Sequence, residues 1–401
     1  MILALIAALL LGVLSGTLTG LFPGIHVNLV AISLLSLSPI LLQYFQPIAL
    51  AVFIVSMSIA HSYLDFIPSI YLGAPNEESF LSTLPGHELL KQGKGHEAVV
   101  LTLYGSLTAL LIILIFIPIF IFLLPPVHEA ITKIIPFILI FISLYLVFRE
   151  DNFLLSTIIF MLAGFLGLIT LSLPIKEPLL PLLTGLFGSS ALIVSLKSKK
   201  LFLPKQALTS KIKLSKKEII KSSLAASIAA PLCSFLPGIG SGHAAVIGSE
   251  IFEQDRKGFL FLVGAINTIV TALTFVTLYS INKTRSGTAV AIKEILKEIA
   301  FKELIIIMLA IMLAGIISFF IGIKLSKIIA KNINKINYKT LSIIALAILL
   351  IVNMLFSNLI GLLVLIASTS LGIFAILSNS RRINLMACLL IPTIVFYLVH
   401  S

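Results

Sequence analysis

The sequence predicts an all-α polytopic membrane protein built from two repeats of inverted topology. Each repeat holds about seven apolar segments, with broken or re-entrant helices at Pro-Gly motifs. Three observations carry this prediction. First, 59% of the 401 residues are hydrophobic and only 11% are charged, with a mean hydropathy of +1.17, whereas soluble domains carry about 25% charge. Second, the apolar runs are continuous and approach the about 20 residues that a helix needs to cross a bilayer core, without the alternation of barrel strands. Third, the break in Leu21-Phe22-Pro23-Gly24-Ile25-His26-Val27-Asn28 returns 214 residues later in Leu236-Pro237-Gly238-Ile239-Gly240-Ser241-Gly242-His243. Matched breaks in two halves of a membrane chain point to a transport site at a repeat interface.

The elements follow in order. Residues 2–22 form an apolar segment, 26–42 a short one after Pro23-Gly24, and 46–72 a long one containing His61 and Asp65. A polar insertion from Gly73 to Ala98 precedes apolar segments at 98–124, 134–148, 153–173 and 178–196. Residues 197–221 carry nine Lys and a single acid, Glu218, and read as a cytoplasmic linker between a first repeat, 1–196, and a second, 222–401. The order then repeats: short pieces at 222–236 and 238–252, a long one at 259–281, a polar stretch 282–302, and segments at 303–323, 341–355, 358–377 and 384–399. The same offset sets Gly73 against Gly287. Basic residues place the loops 253–258, 324–339 and 378–383 inside, while 125–133, the counterpart of 324–339, reads as outside. Corresponding loops of opposite sign are the mark of inverted repeats in a multi-pass protein of the cell membrane.

Composition also excludes function classes. The net charge of +12 is spread over short loops with no basic, aromatic-interleaved domain, so nucleic acid is not an expected partner. Cys233 and Cys388 lie in different apolar segments and suggest no disulfide framework. There is no phosphate loop, zinc signature or serine elbow, which argues against an enzyme and against a bound metal or other cofactor. The first residues lack a basic n-region and a cleavage site and read as a retained helix.

The candidate site residues cluster at the breaks. Proline removes a backbone donor and glycine permits reversal. A helix restarting after each break has unsatisfied N–H groups and a partial positive charge, which suits an anion. The expected substrate site is Pro23, Gly24, Ile25, His26, Asn28, Gly73, Asn76, Pro237, Gly238, Gly240, Ser241 and His243. For the coupling ion, His61 and Asp65 share a face at i, i+4, Glu77 follows the Gly73 break, and Asn267 and Thr271 share a face with Thr274 in the matching segment. The sequence leaves Na⁺ and H⁺ both open as that ion, and leaves open whether the chain forms a homodimer.

Phe22-Pro23-Gly24 and Leu236-Pro237-Gly238-Ile239-Gly240 resemble the duplicated Pro-Gly motifs of the large membrane subunit of tripartite tricarboxylate transporters. Thr83 to Lys94, preceded by Gly73-Ala74-Pro75, resembles that family's block ending in Lys-Gln-Gly. The resemblance spans both halves. It implies an ion-coupled secondary transporter of small organic anions working by alternating access, assisted by a small membrane subunit and an extracytoplasmic binding protein. Paired Pro-Gly tips also resemble those of bacterial polyprenyl-phosphate translocases, in which the anion is a lipid phosphate. An integral membrane enzyme acting on a lipid is the remaining alternative.

Overall fold

The computed structural model describes residues 2–22, 27–73, 79–197, 203–211, 214–335 and 338–400. Among these residues every regular element is helical, and nine helices are long and apolar enough to cross a membrane. Lipid imposes this, because a helix satisfies its own backbone groups. The protein is therefore a multi-pass, all-α membrane protein.

In the first half, α1 (Ile2–Leu21), α2 (Val27–Leu41), α3 (Pro47–Leu64) and α4 (Phe66–Leu72) precede the short α5 (Thr83–Lys91). The helices α6 (Gly95–Ile131), α7 (Ile135–Phe148), α8 (Phe153–Ser172), α9 (Leu179–Leu183) and α10 (Ser190–Lys197) follow. In the second half, α11 (Lys216–Phe235) and α12 (Ser241–Ile251) lead to α13 (Arg256–Ile281), α14 (Gly287–Leu296), α15 (Phe301–Asn332), α16 (Tyr338–Leu377) and α17 (Ala387–His400). α1 and α11 are each 20 residues long and start 214 positions apart.

Small residues set the packing. Gly12, Gly16 and Gly20 form a stripe on α1 that lies on α3, against the backbone carbonyls of Phe53, Met57 and His61. The opposite face of α1, with Ile2, Leu3, Ile6, Leu10, Leu14 and Leu18, is exposed and suits lipid. α6 and α13 meet at backbone distance: a Cβ on Gly105 would strike the Phe261 carbonyl, and one on Gly264 the Thr102 carbonyl. Ser106 adds a hydrogen bond to the Gly264 carbonyl at 3.0 Å. With lipid as solvent, such close approach and interhelical bonding replace the hydrophobic effect as the force between helices.

Breaks have local causes. Pro68 cannot donate to the carbonyl of Leu64, so the 46–72 segment divides at Asp65 into α3 and α4. α16 is kinked at Asn358, whose φ is 58°, where the second of the two apolar segments expected at 341–355 and 358–377 begins. The stretch 125–131, expected as a loop, continues α6, and one 3-10 turn over Thr132–Ile134 joins it to α7. The polar stretches also contain helices, α5 in the first and α14 in the second.

The linker is not a free tether over 203–211. Buried Gln206 accepts the Gly95 N–H at 2.8 Å and donates to the carbonyls of Leu90 and Pro204. The Ala207 N–H donates to the Gly93 carbonyl at 2.7 Å, and Asn334 holds the Leu203 carbonyl. A side-chain chain then runs inward: Ser210 to His96, His96 to Ser326, and Ser326 to Tyr71. Ion pairs join neighbouring elements near their ends, namely Lys257–Glu97 at 2.5 Å, Arg149–Glu250 at 2.5 Å and Arg381–Glu150 at 3.7 Å.

Candidate functional site

The chain between α11 and α12 turns at Gly238, where φ is +75°. Only glycine adopts this without strain, and a Cβ there would also press on Thr393 Oγ1 at 2.9 Å. The reversal leaves carbonyls at the end of α11 without helical partners. Arg285, in the short connection between α13 and α14, supplies them. Its guanidinium donates to the carbonyl of Cys233 and, at 2.5 Å, to that of Ile239. The tip is thus stapled by a cation, with two of five guanidinium N–H groups used.

Beside this staple lies a cavity of about 160 Å³, roomy beside the 10–15 Å³ that one water requires on such a measure. Gly238, Ile239, Gly240 and Ser241 line it from the α12 side. Val27 and Asn28 reach it from the first turn of α2. Ser58 comes from α3, Val270, Thr271 and Thr274 from α13, and Arg285, Ser286 and Thr288 from the start of α14. Met386 and Leu389 complete the wall. Among the described residues of this lining Arg285 is the one formal charge, and no carboxylate is present.

Three helix N-termini therefore converge here, in different states. That of α14 is already capped: Ser286 accepts the Ala289 N–H at 3.2 Å, and Asn28 Oδ1 accepts the Thr288 N–H at 3.3 Å. Asn28 thus bridges the two halves, and a Cβ on Gly287 would strike it at 2.9 Å. The N-terminus of α12 is more open. Ser241 is 4% exposed, lines the cavity, and its hydroxyl has no hydrogen-bond partner. Leaving such a group unmet costs about 1–3 kcal/mol, so a polar occupant is favoured. The hydroxyls of Thr271 and Thr274 bond back to the carbonyls of Asn267 and Val270, leaving oxygen lone pairs toward the cavity.

Of the residues expected from sequence, Asn28, Gly238, Gly240, Ser241 and Thr271 line this cavity. Pro23, Gly24, Ile25, His26, Asn76 and Glu77 lie outside the described residues. Pro237 precedes the Gly238 turn without joining the lining. Gly73 ends α4 with φ +63°, packed against the His87 ring rather than the cavity. His243 sits behind the tip, its Nδ1 accepting the Gly240 N–H at 3.2 Å.

The residues expected to couple an ion form a column leading away from the cavity. On α3, Ser58, His61, Ser62 and Asp65 follow the i, i+3, i+4, i+7 spacing of one helix face, and all are buried. His61 Nδ1 and Thr19 Oγ1 are 3.0 Å apart, linking α3 to α1. From α13, Asn267 donates to the Ser62 carbonyl at 3.2 Å, one turn from Thr271.

Sequence reasoning missed Arg285 along with Ser58, Ser286 and Thr288. One signal was available: the chain has 5 Arg against 23 Lys, and this Arg stands two residues before the Gly287 that aligns with Gly73. A planar fork that can hold two carbonyls requires Arg rather than Lys.

A second, apolar crevice of about 370 Å³ lies between α7 and α12, lined by Phe141, Tyr145, Leu146, Ile247 and others, with His243 and Glu250 at its polar edge. It shares no lining residue with the Arg285 cavity.

The chain is similar to known sequences along nearly its whole length. The family model described as the tripartite tricarboxylate transporter TctA family matches residues 6–387. An uncharacterized protein, MJ1079, of Methanocaldococcus jannaschii is 34% identical over 388 residues, covering 94% of this chain and 95% of that one. No solved structure matches.

Proposed function

Because the chain belongs to the tripartite tricarboxylate transporter TctA family, we propose that it is the membrane-spanning component of a secondary transporter for small organic anions of the di- or tricarboxylate kind. The observation that carries this reading is the cavity at the α11–α12 tip, where Arg285 is the only formal charge among the described lining residues and the Ser241 hydroxyl lacks a partner. A carboxylate bound there meets a guanidinium with N–H groups to spare, a free hydroxyl and the N-terminus of α12. Here the fixed charge of Arg285 adds to the helix N-termini expected to hold the anion.

In this reading the two Pro-Gly motifs are inverted counterparts that work by alternating access in the cell membrane, with 197–221 and 324–339 on the cytoplasmic side. The column from Ser58 to Asp65, facing Asn267 and Thr271, offers oxygen and imidazole groups for a coupling Na⁺ or H⁺. A small membrane subunit and an extracytoplasmic binding protein would complete the assembly, as the family's tripartite description suggests. The remaining reading, a lipid-phosphate carrier, draws support from the apolar crevice beside α12. Its separation from the cavity lining favours the small anion.

The test is uptake of labelled citrate and succinate into proteoliposomes under imposed Na⁺ or pH gradients, with the partner subunits supplied. Uptake that disappears in Gly238→Val, at unchanged membrane insertion, supports the reading. No uptake of either acid, together with transfer of a polyprenyl phosphate, would replace it with the lipid carrier.

A further inference from the structure

We propose that His243 is a proton-binding residue whose protonation is linked to anion occupancy of the Arg285 cavity. The inference rests on reading that cavity as an anion site and adds how a proton is coupled to it. His243 stands in the first turn of α12 and is fully buried. Its Nδ1 accepts the Gly240 N–H at 3.2 Å, so the lone pair faces that amide and a neutral ring carries its proton on Nε2. Nε2 is buried without a hydrogen-bond partner.

A second proton has one place to go, Nδ1, and there it meets the Gly240 N–H head on. Proton uptake from solvent therefore breaks that bond. It leaves a cationic ring behind the tip and a released N–H on Gly240, which lines the cavity with Ser241. In an empty site this state is disfavoured, because the N-terminus of α12 already carries partial positive charge and Arg285 holds the same tip. An anion in the cavity offsets that charge across the tip. Proton and anion thus bind together, which is the linkage a symporter needs.

The surrounding groups do not supply an alternative counter-charge. Glu250 shares the crevice with His243 but is paired at 2.5 Å with Arg149, which follows α7. Tyr145 of α7 lines the same crevice. Cys233 of α11 is buried behind the tip, and Lys216, Lys217, Glu218 and Lys221 lie in the first turns of that helix, at its far end. The first turn of α13 carries Arg256 and Lys257, paired with Glu88 and Glu97. Arg382, which precedes α17, donates to the carbonyls of Leu186 and Phe187.

The experiment uses the full chain in detergent, with citrate and inorganic phosphate as probes, comparing the unaltered protein with His243→Asn. The Asn carbonyl oxygen can take the Gly240 N–H but does not titrate. Binding is measured by calorimetry between pH 5 and 8, and ring protonation by NMR of [¹⁵N]histidine- and [¹⁵N]glycine-labelled protein, with the variant assigning His243. Expected are an Nε2–H ring at pH 8 and a Gly240 amide shift on acidification. Citrate affinity should rise on acidification by up to about tenfold per pH unit beyond the change His243→Asn shows, which reports citrate's own titration. A neutral ring protonated on Nδ1, or the same pH dependence in both proteins, would overturn the role of His243 while leaving the anion site standing. No binding of either probe to the unaltered protein at any pH would instead overturn the anion cavity, and this linkage with it.

Discussion

Replacing Arg285 by Gln removes the cavity's formal charge and the staple on the tip while keeping a polar side chain. The structure allows the two consequences to be separated. A charge-assisted hydrogen bond contributes about 1.5–3 kcal/mol, so losing the pair to a bound carboxylate should weaken citrate or succinate binding roughly 10- to 150-fold. The carbonyls of Cys233 and Ile239 lose their donor as well, which should loosen the α11–α12 turn even without ligand. Arg285→Lys is the discriminating variant. Lysine keeps the charge but is a point donor that cannot fork to two carbonyls and an anion together, so binding should fall by less than in Gln while the turn still loosens. Calorimetry in detergent reads the affinity, and hydrogen exchange of residues 236–242 reads the turn. Unchanged affinity for both acids in Arg285→Gln would refute the assignment of this cavity as the anion site.

Three further outcomes follow from the packing. Gly264→Val places a branched side chain against the Thr102 carbonyl; overpacking of about 1–3 kcal/mol or more should lower the melting temperature in detergent, with Gly264→Ala milder, and an unchanged melt would contradict the backbone contact of α6 and α13. Gln206→Ala removes the bonds to Gly95, Leu90 and Pro204; at about 1–3 kcal/mol, amide exchange across 203–211 should accelerate roughly 5- to 150-fold, measured by mass spectrometry. His87, outside the spanning helices, is held below its usual range chiefly by burial, aided by Lys91 and opposed by its bond to the Ile70 carbonyl at 2.8 Å. With a depressed folded value, the unfolded chain takes up the proton first as pH falls below about 6.5. Stability should therefore decline from that point downward, and His87→Gln should flatten the decline in melts recorded against pH.

The helical class and the positions of most breaks were legible because lipid leaves few backbone solutions and because Pro and Gly act locally. Pro237-Gly238 is readable on those grounds, and the interruption near Asn358 from the division of the apolar run into 341–355 and 358–377. The polar face of Asn267, Thr271 and Thr274 was readable from helical spacing, and two of its members do line the cavity. Arg285 was not, since a cation in a polar stretch beside Lys283 looks like any residue that sets topology; its role depends on carbonyls more than 40 positions earlier in the chain. The division of His243 from Ser241 was also hidden. Two neighbours in one helical turn face opposite ways, one into the cavity and one behind the tip, and no periodicity separates them. The docking of 203–211 was hidden for a related reason: nothing local announces that Gln206 is buried.

That docked linker sets a limit on travel. Its middle is fastened to the start of α6 through Gln206 and Ala207, whereas α11 begins at Lys216. Five residue steps separate Lys211 from Lys216, and a fully stretched chain covers at most about 3.3–3.6 Å per step, roughly 17 Å in all. While 203–211 stays docked, the near end of the α11–α12 hairpin can move relative to α6 only within that leash. An elevator-like displacement larger than the leash would have to peel the docked stretch away first, whereas rocking about the α6–α13 seam would not.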